Sequence, residues 1–296
     1  MSPAVSVFWY RKHCCDELTD RLVAVAQTDQ KRPVRLSKVI DGLSTQVRVL
    51  YALVLRESMT RYGEHKIGFL WAILEPMAMV VVFVTIFSLF KSLTSDVPIA
   101  LFMLTGLVPF TLFQDNKTQM QNAIASNKAL LAFPQVTTFD VIFARSILET
   151  LIILSVFIVL LVIFYLIGFE FRVENPIGVL AACALIAMMG IGIGFMLASL
   201  KPLLPSVQQL SNALLGRPLF LSSGVFFSAE QIPAEWRDYL LYNPLMHCLE
   251  LLRSEFFYEL ESPYGSWFYA SAWAVSLLAL GLLMHQVLRK RAVVGL

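Results

Sequence analysis

The 296 residues are 57% hydrophobic and only 15% charged, with a formal net charge of +2 and a mean hydropathy of +0.70. That composition excludes an ordinary soluble domain and reads as an integral membrane protein, while basic residues spread along the chain exclude a nucleic-acid binder. Cys14, Cys15, Cys183 and Cys248 show no C-x-x-C spacing, so they predict neither a zinc site nor a disulfide framework.

In chain order, the first apolar run, Ala4 to Tyr10, is short and followed by charges, so no secretory signal is read and the N-terminus is expected in the cytoplasm. Residues 1–42 form a polar extension with at most one short helix, around Asp16 to Ala26. From Leu43 the pattern changes. Val47, Leu50, Tyr51, Val54 and Leu55 recur at helical spacing, with Arg48, Arg56, Glu57 and Thr60 largely off that stripe. A helix in the cytoplasmic interface, within 43–66, is predicted; a soluble amphipathic helix is the alternative. At Arg56 to Pro76 this charged segment turns directly into hydrocarbon.

Six spans follow within residues 67–291, at about 69–90, 99–120, 141–169, 176–200, 207–227 and 267–287, each long enough for ~30 Å of hydrocarbon at ~1.5 Å per residue. The fifth carries Gln208, Gln209, Ser211, Asn212 and Arg217, which suits a span facing protein or water rather than lipid. Eleven Lys and Arg residues precede Trp71, and the tail ends Arg289, Lys290, Arg291, so both termini, including the tail 292–296, are expected inside.

Between spans five and six, residues 229–260 interleave apolar residues with acids, and Asn243-Pro244 divides them. Asn is a good helix cap and Pro suits a first helical turn, which predicts two short helices, about Ile232 to Leu241 and Pro244 to Phe257. They are too short to span, so they dip into the outer membrane surface or form an external cap. The predicted fold is thus an all-α integral membrane protein with six transmembrane helices, an N-terminal cytoplasmic amphipathic interface helix and two short re-entrant or outer helices.

None of the fourteen glycines precedes Lys-Ser or Lys-Thr, so there is no phosphate cradle and the chain is not expected to hydrolyse ATP. Gly190, Gly192 and Gly194 fall in mid-span, where close helix packing or a flexible point is expected. His247 and Glu250, one turn apart, lack further ligands with metal spacing. The turn opened by Asn243-Pro244 has free amides suited to an anionic group, and a local network of His247, Glu250, Arg253 and Ser254 is the alternative. Among ionisable residues in spans, Arg145 and Glu149 are expected to pair with each other. Glu75 lies near the inner end of span one, and Arg217, with no local acid and followed by Pro218, is expected to face a polar pathway or a bound anion.

Arg61-Tyr62-Gly63, then Gly68-Phe-Leu-Trp-Ala-Ile-Leu-Glu-Pro76, Gly106-Leu-Val-Pro-Phe110, and Asn243-Pro-Leu-Met-His247 with Glu250 and Arg253, stand in an order that resembles the membrane subunit of capsular polysaccharide exporters of the KpsM and BexB type, within the type-2 ABC exporters. The resemblance covers about Leu43 to Arg291; the N-terminal extension departs from it. It implies a homodimeric permease in a Gram-negative inner membrane, working with two copies of a separate ABC ATPase that binds ATP and Mg, with no cofactor on this chain. It further implies a periplasmic adaptor, an outer-membrane export protein and a lipid-linked acidic polysaccharide as cargo.

On these positions the resemblance places ATPase coupling at the interface helix and the inner loop, with Gln119, Asn122, Asn127, Lys128, Phe133 and Pro134 as candidates. Spans one and five would form the lateral entry for the lipid end, and the outer helix pair would close the pathway. Arg56, Arg61 and Lys66 are placed to attract a phosphate or acidic sugar, or serve as positive-inside anchors. Trp71, Phe220, Phe226, Phe227, Trp236 and Tyr239 either stack on sugars or anchor the chain at the interfaces. Glu75, Arg217, His247, Glu250 and Arg253 complete the candidate pathway. An O-antigen or teichoic-acid exporter, a small-molecule drug exporter of the same fold and an intramembrane transferase are the rival readings.

Overall fold

A computed structural model describes residues 36–62, 68–90, 98–132, 136–258 and 263–294; the short helix expected near Asp16 to Ala26 lies outside the described residues. The chain divides into two compact units, Met1–Arg48 and Val49–Leu296, and the side-chain contacts below belong to the second. Among the described residues every element is helical: α1 (Leu36–Tyr62), α2 (Gly68–Phe90), α3 (Ile99–Ser126), α4 (Thr138–Ile167), α5 (Pro176–Leu200), α6 (Val207–Leu215), α7 (Arg217–Ser222), α8 (Ala234–Leu240), α9 (Pro244–Phe256) and α10 (Trp267–Val294), with single 3-10 turns at Leu130–Ala132 and Ala229–Gln231.

Among the described residues, four helices are long and apolar enough to cross a membrane: α3, α4, α5 and α10 as far as Arg289. In α2 the apolar stretch runs from Ile73 to Ile86 and holds a buried Pro76 in its first turn. Local chemistry sets the ends. Thr137 and Asp140 form a capping box that starts α4, and Gly168, at φ 103°, ends it in the left-handed region that favours glycine. Asn175 caps α5 by accepting from the Gly178 amide at 3.2 Å, with Pro176 in the first turn.

Helix α5 is the central post, with α3 on one side and α10 on another, and its glycines explain why. A Cβ at Gly190 would lie 2.8 Å from the Phe113 carbonyl oxygen, and one at Gly194 would lie 2.8 Å from Met120 Sδ, both on α3. On another side, a Cβ at Gly192 would lie 2.5 Å from the Leu277 carbonyl carbon of α10, while Gly281 of α10 faces the Gly192 carbonyl. Lipid tails supply no hydrophobic drive for helix association, so small residues that let backbones touch become the adhesive. The expected packing role of the three glycines is what the structure displays. At one end of this stack His285 of α10 lies between Thr138 Oγ1 of α4, 3.2 Å from Nε2, and Ser199 Oγ of α5, 3.0 Å from Nδ1.

Three boundaries differ from expectation. The amphipathic helix starts at Leu36 rather than Leu43, and α3 runs through Ser126, past the second span's expected end at 120 but in keeping with the helical continuation through Gln114 to Ala125 that the sequence allows. The fifth segment, Val207 to Phe227, is not one helix. It breaks at Gly216, splits into α6 and α7, and then runs irregularly through residues 223–228. Pro218 removes an amide and its ring opposes the carbonyl one turn back, which interrupts a helix at this point. At ~1.5 Å per residue, α6 and α7 together fall short of a regular ~30 Å crossing. The chain nevertheless travels: Lys201 donates to Asn122 Oδ1 at one end of α3, whereas Val225 packs against Gly106 nearer the other.

Between residues 232 and 257 the structure has two short helices, α8 and α9, divided at Asn243-Pro244. Asn243 Oδ1 accepts from the Leu245 amide at 3.0 Å, and Pro244 begins α9.

Candidate functional site

At the end of the bundle where α5 begins, α9 carries three buried polar side chains on successive turns: His247, Glu250 and Arg253. Glu250 accepts from the Ala229 amide at 2.7 Å and from Ser228 Oγ at 3.2 Å. Arg253 donates from Nη1 to the Gly224 carbonyl at 2.6 Å and the Phe227 carbonyl at 3.2 Å, and from Nη2 to the Val225 carbonyl at 2.7 Å. Its guanidinium also lies 3.8 Å from the Phe102 ring centroid of α3. Burial lowers the Arg253 pKa to about 10, with the Glu250 charge acting the other way.

Together, Glu250 and Arg253 bolt the irregular 223–229 turn onto α9. The turn's carbonyls and amides have no helix or sheet to bond to, and these two side chains supply the missing partners. Gly106 of α3 makes room, since a Cβ there would lie 2.5 Å from both Arg253 Nη2 and the Val225 carbonyl oxygen. His247 spends both ring nitrogens: the Leu241 carbonyl oxygen is 2.8 Å from Nε2, and Nδ1 accepts from the Ser266 amide at 3.2 Å. Ser254, expected in a shared network, bonds instead to the Leu251 carbonyl of its own helix. Arg237 of α8 adds a further tie, donating to the Ile232 carbonyl at 2.8 Å and to the Tyr264 hydroxyl.

A second set of candidates lies where α2 meets α7. Phe220 and Phe226 pack with Phe83 of α2 and Phe110 of α3, at ring-centroid separations between 4.6 and 6.4 Å. Phe227 is half-buried beside them. Outward from this cluster the surface changes character. Met79, Val82 and Ile86 of α2 and Leu210, Leu214 and Leu221 of α6 and α7 are exposed, and so are Glu75 and Arg217. Arg217 stands at the α6–α7 break, and among the described residues it has no hydrogen bond or ion pair. Trp236 and Tyr239 of α8 are exposed at 65% and 72%.

A third set gathers at the other end of α3. Asn127 is buried and donates to Glu57 Oε2 of α1 at 3.4 Å and to the Ala123 carbonyl at 3.2 Å. Asn122 accepts from Lys201, which sits just beyond α5 and whose pKa burial lowers. Gln119 is half-buried and Lys128 exposed. Arg145 corrects an expectation. Its Nη2 lies 2.7 Å from Glu57 Oε1, and its Nη1 donates to Ser126 Oγ at 3.2 Å, so it pairs across to α1 rather than along its own helix with Glu149. The spacing of Arg145 and Glu149 permits a local pair, but a better-placed acid arrives from a distant segment. Arg56 lines the small cleft beside this junction. The side chains of Arg61 and Trp71, and Lys66, Phe133 and Pro134 as a whole, lie outside the described residues.

The geometry is that of a helical membrane body bolted at one end, cross-tied at the other, with a charged and apolar face between. A family model described as ABC-2 type transporter matches residues 48–257, most of the body just described. The chain belongs to the ABC-2 type transporter family. Its similarity to curated members is extensive. It is 35% identical over 213 residues to the polysialic acid transport protein KpsM of Escherichia coli, covering 72% of this chain and 82% of that one. It is 30% identical over 248 residues to the capsule polysaccharide export inner-membrane protein CtrC of Neisseria meningitidis serogroup A, covering 82% and 92%. To the capsule polysaccharide export inner-membrane protein BexB of Haemophilus influenzae it is 28% identical over 244 residues, again covering 82% and 92%.

For this ABC-2 chain, sequence reading found Arg253, Glu250 and His247 but not their structural partners. It missed Glu57, Ser126 and Lys201 as members of the cross-tied end. Glu57 carried the only available signal, an acid next to Arg56 on a helix otherwise poor in acids.

Proposed function

We propose that the chain is the membrane permease subunit of an ATP-driven exporter that moves lipid-linked capsular polysaccharide across the inner membrane. Two copies enclose the pathway, and two copies of a separate ABC ATPase supply ATP and Mg chemistry. A periplasmic adaptor and an outer-membrane protein continue the route outward. The chain crosses six times, with both termini in the cytoplasm. The inner loop and α1 receive the ATPase, with Gln119, Lys128, Phe133 and Pro134 on the docking side and Arg56, Arg61 and Lys66 drawing the acidic cargo inward.

The observation that carries this reading is the exposure of charged residues on two helices, α2 and α7, that meet through Phe83 and Phe220. An arginine at a broken helix and an acid on the neighbouring helix stand among apolar side chains. Each such charge costs a few kcal/mol against lipid, which favours a seam between copies, lined by protein and water. Arg217 then offers a guanidinium to an anionic polymer, while Trp71, Trp236 and Tyr239 supply stacking or anchoring surfaces. Similarity to proteins named for capsule polysaccharide export supports the cargo class.

The test is to delete the chain in its host and identify the lipid at the reducing end of retained polymer by mass spectrometry. Polymer held inside on a phospholipid-type anchor is the expected result; a polyprenyl carrier moves the assignment to O-antigen export, and unchanged surface polymer refutes the reading. Replacing Arg217→Ala is expected to lower surface polymer by about tenfold while the membrane level of the subunit and its recovery with the ATPase stay unchanged.

A further inference from the structure

We infer that Arg145 is a positioning residue for energy coupling. Through Glu57 and Ser126 it joins the end of α1, the end of α3 and the α4 span into one lever. The inference rests on the permease reading above and deepens it: motion that the ATPase imparts to α1 and to the loop after α3 reaches the pathway through α4.

The joint draws on three separate elements. Glu57 comes from α1, Ser126 and Asn127 from the end of α3, and Arg145 from the third turn of α4. No local periodicity brings them together, so the pair exists only when the three elements are docked. Its two side chains are 14% and 17% exposed, too sheltered for the pair to be an incidental surface contact. A helix is stiff along its axis, so a guanidinium held in its third turn passes displacement to the whole of α4.

The joint is also incompletely satisfied. Arg145 Nε is buried without an acceptor, although a guanidinium usually engages a carboxylate through two parallel bonds when both are free to do so. A spare donor beside a carboxylate gives the pair a second arrangement that a slide of α4 against α1 can reach. A small cleft lined by Leu53, Arg56, Leu130 and Val141 adjoins the pair. Two discrete arrangements of one contact are what a conformational relay requires.

The test is a charge-reversal cycle in the complete transporter: Arg145→Glu, Glu57→Arg and the double variant. Surface polymer, subunit level in the membrane and ATP turnover of the purified complex are measured in each. The single variants are expected to lower export by about tenfold with ATP turnover within about twofold of the parent, and the double variant to restore most of the export. Export and ATP turnover falling in equal measure, singles that export normally, or a double variant no better than the worse single would each overturn the inference. Should a reversed-charge single fail to accumulate, Arg145→Gln and Glu57→Gln keep the side-chain shapes, and loss of export with retained ATP turnover remains the criterion. Failure of the permease reading is distinct, because it appears in the deletion strain as unchanged surface polymer.

Discussion

Arg253 shows how much a single buried side chain organises. Three carbonyl oxygens of the 223–229 turn converge on its guanidinium, and Phe102 covers one face. Water cannot substitute readily at a position this deeply buried. Replacing Arg253→Met preserves length and apolar packing but leaves those carbonyls without donors and Glu250 without a nearby cation. A loss of about 3–5 kcal/mol is expected, read as a lower unfolding temperature of the purified subunit and a lower level in the membrane. Glu250→Ala should destabilise in the same direction. The two act on one turn, so the double variant is expected to lose less than the sum of the singles.

At the scale of the helix, α5 depends on having no side chain at three positions. Gly192→Ala brings a methyl group against the backbone of α10 rather than against a flexible side-chain tip, so the two helices have to part. Overpacking of this kind costs about 1–3 kcal/mol, and a matching fall in thermal stability is expected. Gly168→Ala is the informative contrast. A Cβ there meets nothing within 4 Å, and the penalty comes from φ +103° alone, about 1 kcal/mol. What the sequence disclosed about such elements follows from range. Asn243-Pro244 acts through neighbours a few residues away, and the glycine run signals close packing by composition alone, so both were readable, although the helices the glycines meet, α3 and α10, were not. The break of the fifth segment was half readable: Pro218 signalled disturbance, but a polar, span-length stretch concealed that α6 and α7 would separate. The Glu57–Arg145 pair joins residues with two helices between them, and local spacing points to Glu149 instead, one turn along the same helix.

For the whole molecule, the consequence turns on α6 and α7. Lys201 is tied to Asn122, while residues 224–229 are tied to α9, whose own end meets α5 where Asn175 Nδ2 donates to Glu255 at 2.7 Å. Asn175 caps the start of α5 and Lys201 lies just past its end, so the segment between Lys201 and Gly224 climbs along the bundle despite its broken helix. That path is compatible with an even number of crossings, which would put both termini on one side. Labelling decides it. In a chain with Cys14→Ser and Cys15→Ser, where Cys183 and Cys248 are buried, Leu204→Cys and Tyr258→Cys place single reactive thiols at positions 57% and 81% exposed. A membrane-impermeant maleimide added to spheroplasts is expected to modify Tyr258→Cys at once and Leu204→Cys only after the membrane is opened. Both thiols reacting from the same side, whether from outside or only after the membrane is opened, would instead make α6 and α7 a hairpin that returns to its own side. The chain would then cross five times and its basic ends would face opposite compartments, in conflict with the positive charge both carry.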